Sequence, residues 1–256
     1  MRIDLNCDVG ESFGLYSLGA DGALMSYITS ANIACGMHAG DPLVIERTVL
    51  LAAEHGVGIG AHPGYPDLQG FGRRAMRLSP EEVEAYVLYQ IAAIAGFAKA
   101  AGSELAHVKV HGALYNMAAK DLVLARAITR AITRFNPSLI LVGLTGSVLI
   151  QAGSEAGLRV ATEAFADRSY EPDGSLRSRL LPGAVLQDPA RVGEQALRIA
   201  RDGVVVAYGG EEIPVTAHTI CLHGDSTRAL ENAQGVRQAL VAADVEIVPL
   251  TLSVGV

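Results

Sequence analysis

Polar side chains recur at one kind of position along this chain, directly after a short apolar run and usually beside glycine. The pattern occurs at residues 6–10, 36–38, 60–63, 108–112, 162–163 and 222–225. Carboxylates, imidazoles and one lysine therefore occupy equivalent positions along the chain. Such groups shift each other's pKa values and transfer protons when they share a cavity. We therefore expect an enzyme whose pocket is lined by Asp8, Glu11, His38, His62, Lys109, His111, Glu163, His223 and Asp225.

The two-residue period of a strand decides which of these side chains can meet. In the first apolar run Asp4, Asn6 and Asp8 fall on one face, and in a later run Lys109 and His111 do the same. We expect these faces to point inward together. Asp4 is interpreted as a buried hydrogen-bonding residue rather than a catalyst.

Asp8, His38 and His62 also form a candidate metal trio, because zinc sites in hydrolases combine imidazoles with a carboxylate. These three residues lie far apart in sequence and do not form a metal-binding motif of fixed spacing. The sequence therefore leaves open whether the chain binds a divalent metal. Arg73 and Arg74 could clamp a carboxylate or a phosphate, or they could form a solvated loop pair. Neither G-x-x-x-x-G-K-[ST] nor G-x-G-x-x-G occurs, so the chain has no evident cradle of its own for ATP.

The elements that would position these groups alternate along the chain as short strands and helices. Asp-Pro at 41–42 and a capping box at 79–82 predict the starts of two helices, which run to about 54 and about 101. Predicted strands cover 3–6, 31–34, 57–61, 107–110, 139–142, 160–162 and 219–222, with 245–248 as a candidate eighth. Parallel strands with interleaved helices predict a (β/α) barrel, with a doubly wound open sheet as the alternative.

No linker or low-complexity tract divides the chain, so residues 1–256 are expected to form one barrel domain with a small hairpin inserted near 204–216. Two connections, 62–78 and 165–187, are too long for simple turns and follow strands on the side of the expected site. Loops of such length are uncommon unless they are functional. We expect one or both to act as lids.

The composition argues against several other classes of protein. A net charge of −7 and a pI near 5.5 give no electrostatic footprint for nucleic acid or an anionic membrane. No apolar run reaches the roughly 18 residues of a membrane-spanning helix, and the amino terminus lacks a signal-peptide pattern, so a soluble cytoplasmic protein is expected. Three cysteines without C-x-x-C spacing indicate neither a disulfide framework nor a thiolate zinc site.

At these same positions the chain resembles the LamB/YcsF family. The matching blocks are 4–8, 10–11, 30–36, 38–41, 60–63, 65–67, 71–73, 111–112, 114–116, 165–168, 170, 173–174 and 221–225. Blocks this long and in this order span residues 3 to about 225 and are highly specific. One departure is visible, because Val110 stands between Lys109 and His111 where the family usually has proline.

The resemblance implies a distorted, seven-stranded (β/α) barrel of the glycoside hydrolase/deacetylase type. It also implies a hydrolase of cyclic amides, which opens 5-oxoproline (pyroglutamate) to L-glutamate with hydrolysis of ATP, together with two other subunits, B and C. This division of labour agrees with the missing phosphate loops. The partners would handle ATP while this chain holds the lactam.

Roles in that reaction can be assigned to individual side chains as a hypothesis. The catalytic candidates are Asp8 or His62 as the base for water, Lys109 with His111 as groups that stabilise charge on oxygen, and His223 with Asp225 as a proton-donor pair. The candidate substrate contacts are Asn6, Glu11, Asn32, His38, Arg73, Glu163, Asp167 and Arg168. Two alternatives stay open, a stand-alone metal-dependent deacetylase or amidohydrolase, and a non-catalytic protein that only binds substrate.

Overall fold

Seven parallel strands close into a barrel in the computed structural model, which describes residues 1–254. The strands in chain order are β1 (Arg2–Val9), β2 (Ser30–Ala34), β3 (Gly58–His62), β4 (Leu105–Lys109), β5 (Ile140–Leu144), β6 (Arg159–Phe165), β7 (Val204–Val206), β8 (Glu212–Pro214), β9 (Thr219–His223) and β10 (Glu246–Ile247). The barrel order is β1-β2-β3-β4-β5-β6-β9, and pairing of β1 with β9 closes the ring. The last two residues of the predicted domain 1–256 lie outside the described residues.

The closed ring confirms the predicted seven-stranded barrel and excludes the doubly wound open sheet, which would leave two free edges. The candidate eighth strand at 245–248 is only the two-residue strand β10, which pairs with the first residues of β1 and takes no place in the ring. β7 and β8 form a separate antiparallel hairpin before the chain returns to the barrel as β9.

Helices follow most of the strands. They are α1 (Asp21–Leu24), α2 (Pro42–Glu54), α3 (Pro80–Ala100), α4 (Gly112–Ala118), α5 (Leu122–Phe135), α6 (Val148–Glu155), α7 (Pro189–Leu197), α8 (Ala229–Ala242) and α9 (Leu250–Ser253), and a π-helical turn, Arg198–Asp202, follows α7 directly. Both predicted starts are confirmed, because Asp41 accepts from two backbone N–H groups of α2, and Ser79 and Glu82 cap α3 reciprocally. Among residues 1–254, no helix combines the length and the apolar character that crossing a membrane would require.

The two faces of β1 differ in character, as strand alternation requires. Ile3 and Leu5 are fully buried in the main apolar cluster, to which the helices also contribute. Asp4, Asn6 and Asp8 occupy the opposite face and are buried as well. The inside of the barrel is therefore polar beside β1, and the candidate site is built on that surface.

Asp4 lies at the base of this polar face and makes stability depend on pH. Burial raises its pKa from 3.8 to about 6, although hydroxyl groups of Thr219, Ser30 and Thr29 donate to the carboxylate and oppose the shift. The folded state consequently holds a proton that the unfolded state releases, so the free energy of unfolding falls as pH rises from about 4 to about 6. At about 1.4 kcal/mol per pKa unit, we expect a loss of about 2–3 kcal/mol across that window.

The variant Asp4→Asn, which cannot ionise, should remove this part of the pH dependence. Urea unfolding of both proteins at a series of pH values between about 4 and 7.5 measures it. The difference between the two curves isolates Asp4 from the other acidic groups. Curves that stay parallel over the whole range would contradict the prediction.

The connection 62–78 contributes directly to the site. Its Phe71 adopts a left-handed backbone conformation with φ 54°, which costs a residue other than glycine roughly 1–2 kcal/mol. That turn directs the Phe71 carbonyl oxygen to His111, 2.9 Å from Nε2. Backbone strain of this kind is typical of functional sites. The role of 62–78 and of 165–187 as lids stays a prediction.

Candidate functional site

The carboxyl-terminal halves of the barrel strands bring the candidate residues together. They are Asp8 in β1, Asn32 in β2, His62 at the end of β3, Lys109 at the end of β4, Glu163 in β6 and His223 at the end of β9. All except His223 are buried, and His223 is partly exposed. The parallel register aligns Asp8 with Asn32 on one side and with His223 on the other.

Lys109 is the centre of a saturated buried network. Its Nζ lies 2.8 Å from Glu163 Oε1, 3.0 Å from Asp8 Oδ1, 3.1 Å from Asn6 Oδ1 and 2.9 Å from Cys221 Sγ. Burial by itself would lower the lysine pKa, but the neighbouring carboxylates outweigh it and raise that pKa well above its usual value. An ammonium group has three N–H donors, and all are used here. Lys109 therefore has no free donor for a substrate.

The polar groups around this network hold one another rather than a ligand. Asn32 Nδ2 donates to Asn6 Oδ1 at 2.7 Å, and Asn6 Nδ2 donates to Glu163 Oε1 at 2.9 Å. His107 Nε2 lies 2.8 Å from Asn32 Oδ1, and Tyr115 donates to Glu163 Oε2 at 2.7 Å. Sequence reasoning gave His107 and Tyr115 no role. The two-residue period from Lys109 could have identified His107.

Asp8 is the carboxylate at the top of the network. Oδ1 accepts from Lys109 and from Asn32, and Oδ2 lies 3.3 Å from His62 Nε2. Burial favours a higher pKa, but His62 and Lys109 hold the pKa of Asp8 well below its usual range. Asp8 is therefore ionised. The pKa of nearby Glu11 moves the other way, raised well above its usual value by burial and by Asp8.

His62 and His111 face each other across the site. His62 Nδ1 lies 2.7 Å from the Lys109 carbonyl oxygen, and His111 Nε2 lies 2.9 Å from that of Phe71. Their other ring nitrogens, His62 Nε2 and His111 Nδ1, are 3.0 Å apart. Burial lowers the pKa of His111 well below its usual value, so this ring favours its neutral form.

Glu11 and His38 complete a compact group. Glu11 Oε1 lies 3.8 Å from His38 Nε2 and 3.8 Å from His111 Nδ1. The His38 ring stacks on His111, with centroids 3.8 Å apart and planes 4° from parallel. One ligand atom from each of four residues lies within 4.8 Å of the others, and this His/Glu cluster consists of Glu11, His38, His62 and His111.

The His/Glu cluster could hold a metal ion, and its membership differs from that of the predicted metal trio. His38 and His62 belong to it as expected, but Asp8 does not. Asp8 instead groups with Cys221 and His223, whose ligand atoms lie within 4.8 Å of its own. The difference arises because side chains from the loops after β1 and β4 reach His62, and a sequence gives no measure of that reach.

The predicted pair of His223 with Asp225 is replaced by a different pair. His223 Nδ1 lies 2.9 Å from Asp167 Oδ1, and the His223 backbone N–H donates to Asp167 Oδ2 at 3.0 Å. Burial would raise the pKa of Asp167, but the His223 contacts lower it below its usual value. Asp225 forms an ion pair with Arg73 and lies 3.9 Å from Arg179, which sequence reasoning did not single out.

Arg168 and Arg73 differ in their freedom to bind a ligand. The buried guanidinium of Arg168 donates to the carbonyl oxygens of Ala184 at 3.1 Å and Arg177 at 2.6 Å, so it braces the loop 165–187. Burial lowers its pKa to about 10. Arg73, whose side chain is 33% exposed, lies over the Phe71 ring at 4.8 Å. Of these two predicted contacts, only Arg73 is accessible to a ligand.

Comparison with known proteins shows to which family the chain belongs. The sequence matches the model of the LamB/YcsF family over residues 3–254. It is 54% identical over 255 residues to the A subunit of 5-oxoprolinase from Pyrococcus abyssi, covering all of both chains. It is 58% identical over 238 residues to the corresponding 5-oxoprolinase chain of Geobacillus kaustophilus, covering 93% of each chain.

Two solved structures confirm the predicted type of barrel. A lactam utilization protein from Thermus thermophilus superposes with a TM-score of 0.91 and 49% identity, over 97% of this chain and 99% of that one. The catalytic domain of a peptidoglycan N-acetylglucosamine deacetylase from Eubacterium rectale superposes with a TM-score of 0.52 over 98% of this chain and 89% of that one. At 12% identity the second likeness concerns the fold alone.

Proposed function

Because this chain belongs to the LamB/YcsF family, we propose that it is the part of 5-oxoprolinase that holds 5-oxoproline and opens its lactam ring. One geometric observation carries the chemistry. A carboxylate oxygen of Asp8 and a ring nitrogen of His223 lie within 4.8 Å of each other at the carboxyl ends of adjacent strands. A water molecule with hydrogen bonds of about 2.8 Å to both groups fits such a gap.

A lactam resists attack by that water because its amide is stabilised by resonance. Transfer of a phosphoryl group from ATP to the carbonyl oxygen would make the carbon a far better electrophile. The sequence contains neither common phosphate loop, so we assign ATP to partner subunits B and C. This chain would then hold 5-oxoproline or its phosphorylated form while water attacks.

His223 is the general base of this proposal, in place of the sequence candidates Asp8 and His62. Asp8 Oδ1 already accepts from Lys109 and Asn32, and the low pKa of Asp8 makes it a weak base. Asp167 accepts the Nδ1 proton of His223, which leaves the Nε2 lone pair to take a proton from water. His223 then returns that proton to the lactam nitrogen as the C–N bond breaks. This leaves an acyl phosphate, which a second water molecule hydrolyses to L-glutamate and inorganic phosphate. Asp8 orients the first water molecule from the other side.

The remaining candidates support this centre. Lys109 is a positioning residue, because its saturated ammonium fixes Asp8 rather than the substrate. Arg73 is assigned to the substrate carboxylate, since a guanidinium fork suits bidentate binding. Asp225 now occupies Arg73, so substrate would displace it.

Reconstitution tests the proposal. We expect glutamate formation that depends on ATP and 5-oxoproline only when this chain is combined with subunits B and C. The variant His223→Gln should lower that rate at least about 100-fold, the usual contribution of a general base. His55→Gln, at an exposed histidine whose Nδ1 lies 2.9 Å from the Leu51 carbonyl oxygen of the preceding helix, is the matched control and should leave the rate unchanged. Full activity of B and C without this chain would overturn the proposal.

A second function, a stand-alone metal-dependent amidohydrolase, draws support from the His/Glu cluster. It would hydrolyse a cyclic amide without ATP and without partners, and a chelator would abolish that activity. A third possible result of the same assays is that this chain only binds the substrate and does not catalyse the reaction. It would appear as a His223→Gln complex that still forms glutamate at the normal rate.

A further inference from the structure

The His/Glu cluster contains an electrostatic conflict that the hydrogen bonds of its rings reveal. A carbonyl oxygen can only accept, so the Lys109 carbonyl requires a proton on His62 Nδ1. By the same rule, the Phe71 carbonyl requires a proton on His111 Nε2. In neutral rings the remaining nitrogens, His62 Nε2 and His111 Nδ1, therefore carry bare lone pairs. These two atoms are only 3.0 Å apart.

Two facing lone pairs at that distance repel, so a positive charge must lie between or beside them. Two acidic side chains lie close enough to stabilise such a positive charge. Asp8 Oδ2 lies 3.3 Å from His62 Nε2, and Glu11 Oε1 lies 3.8 Å from His111 Nδ1. Either a shared proton or a metal ion would resolve the conflict.

The spacing of the donors favours the metal ion. Ligands about 2.1 Å from a tetrahedral metal lie about 3.4 Å from one another. The distances of 3.0 Å between the two imidazole nitrogens and 3.8 Å from Glu11 to His111 bracket that value. In addition, each ring bonds a backbone carbonyl oxygen through its other nitrogen, and hydrogen bonds of this kind orient metal-binding histidines in known sites.

His38 supplies an independent observation. Its ring is buried, and neither Nδ1 nor Nε2 has a hydrogen-bond partner among residues 1–254. An unsatisfied buried polar group costs about 1–3 kcal/mol, so such a ring calls for a ligand. Because the His38 ring stacks parallel to the His111 ring, the lone pairs of these two rings do not point to a common atom in this arrangement. No hydrogen bond holds the His38 ring, however, so it is free to turn about its Cβ–Cγ bond.

We propose that the His/Glu cluster binds one divalent transition-metal ion of the zinc class. His62 Nε2, His111 Nδ1 and the Glu11 carboxylate are the primary ligands, and His38 turns in as the fourth. Imidazoles with one carboxylate suit Zn²⁺, Co²⁺ or Fe²⁺ better than Mg²⁺ or Ca²⁺, which prefer all-oxygen sites. The inference does not depend on 5-oxoproline, and it is tested without any substrate.

The test uses the full chain with a purification tag free of histidine, stripped with chelator and then titrated with Co²⁺. We expect one equivalent per chain by elemental analysis, visible absorption bands of a four-coordinate Co²⁺ ion, and a rise in melting temperature that Mg²⁺ does not give. His111→Gln and Glu11→Gln should each weaken binding at least about tenfold. The control His55→Gln should bind like the unchanged protein.

Three results would overturn the proposal. The first is no uptake of Co²⁺ or Zn²⁺ by the unchanged chain, a result that needs no variant to fold. The second is uptake that survives both ligand variants but is lost in Cys221→Ser, because the ion would then belong to the group around Asp8. The third is a strongly deshielded N–H···N proton resonance in metal-free protein that persists when metal is added, which would identify a shared proton instead.

Discussion

Replacing Asp167 with asparagine is expected to lower the rate of coupled glutamate formation by about 100- to 10,000-fold while the barrel stays folded. The reason is the tautomer of His223. The His223 backbone N–H must donate to an oxygen, so the asparagine oxygen takes the position of Oδ2 and its NH₂ group takes that of Oδ1. His223 Nδ1 lies 2.9 Å from Oδ1 and 3.0 Å from Oδ2, so the NH₂ group faces Nδ1 as closely as the remaining oxygen does and favours the tautomer with its proton on Nε2, where it blocks the base. The neutral amide also no longer stabilises the imidazolium that forms when His223 takes a proton.

Steady-state kinetics of the reconstituted complex measure this effect. The loss should fall on kcat, with KM changed little, because Asp167 acts through His223 and does not contact the substrate. Nitrogen chemical shifts of His223 should report the exchanged tautomer directly. Asp173→Asn, at an exposed carboxylate paired with Lys120, is the matched control and should be active. An Asp167→Asn enzyme within about threefold of normal kcat would remove His223 from its assigned role.

The second large effect concerns stability. Lys109→Met should lower the free energy of unfolding by about 3–5 kcal/mol, because it leaves buried charge without its partner. Asp8 and Glu163 lie 3.0 and 2.8 Å from the ammonium, and their side chains are 7% and 0% exposed. Neither carboxylate can recover its lost interaction from water.

Urea unfolding near neutral pH checks this prediction. Lys120→Met is the matched control, since that lysine is exposed and its loss should change stability by no more than about 0.5 kcal/mol. The double variant Lys109→Met with Glu163→Gln should regain part of the loss, because one uncompensated charge is removed. A Lys109→Met protein as stable as the control would show that the network contributes nothing.

Local periodicity made the strand ends and the inward-facing groups predictable from the sequence. The alternation of Asp4, Asn6 and Asp8 follows from the pleat of a single strand, and the helix starts follow from side chains that bond their own backbone. Helix α4 was missed, because residues 112–118 directly after β4 show no cap and follow a strand signal without a break.

Partnerships across the barrel were beyond the reach of the sequence. Asp225 lies two residues from His223 in sequence, yet its side chain pairs with Arg73. Asp167 follows β6, which becomes a neighbour of β9 only when the ring order is known. The saturation of Lys109 likewise depends on three strands meeting at one atom. Such facts need topology and distances, which residue spacing along the chain does not contain.

Closure of the ring between β1 and β9 also bears on how the protein is made. Asp4 pairs with Thr219, so the first strand leaves the ribosome long before the strand that completes it. Until β9 emerges, β1 and β6 are open edges of a six-stranded sheet, and open edges invite pairing with other chains. Contacts so distant in sequence also slow folding. We therefore expect nascent chains that end before residue 219 to aggregate more readily than the complete barrel.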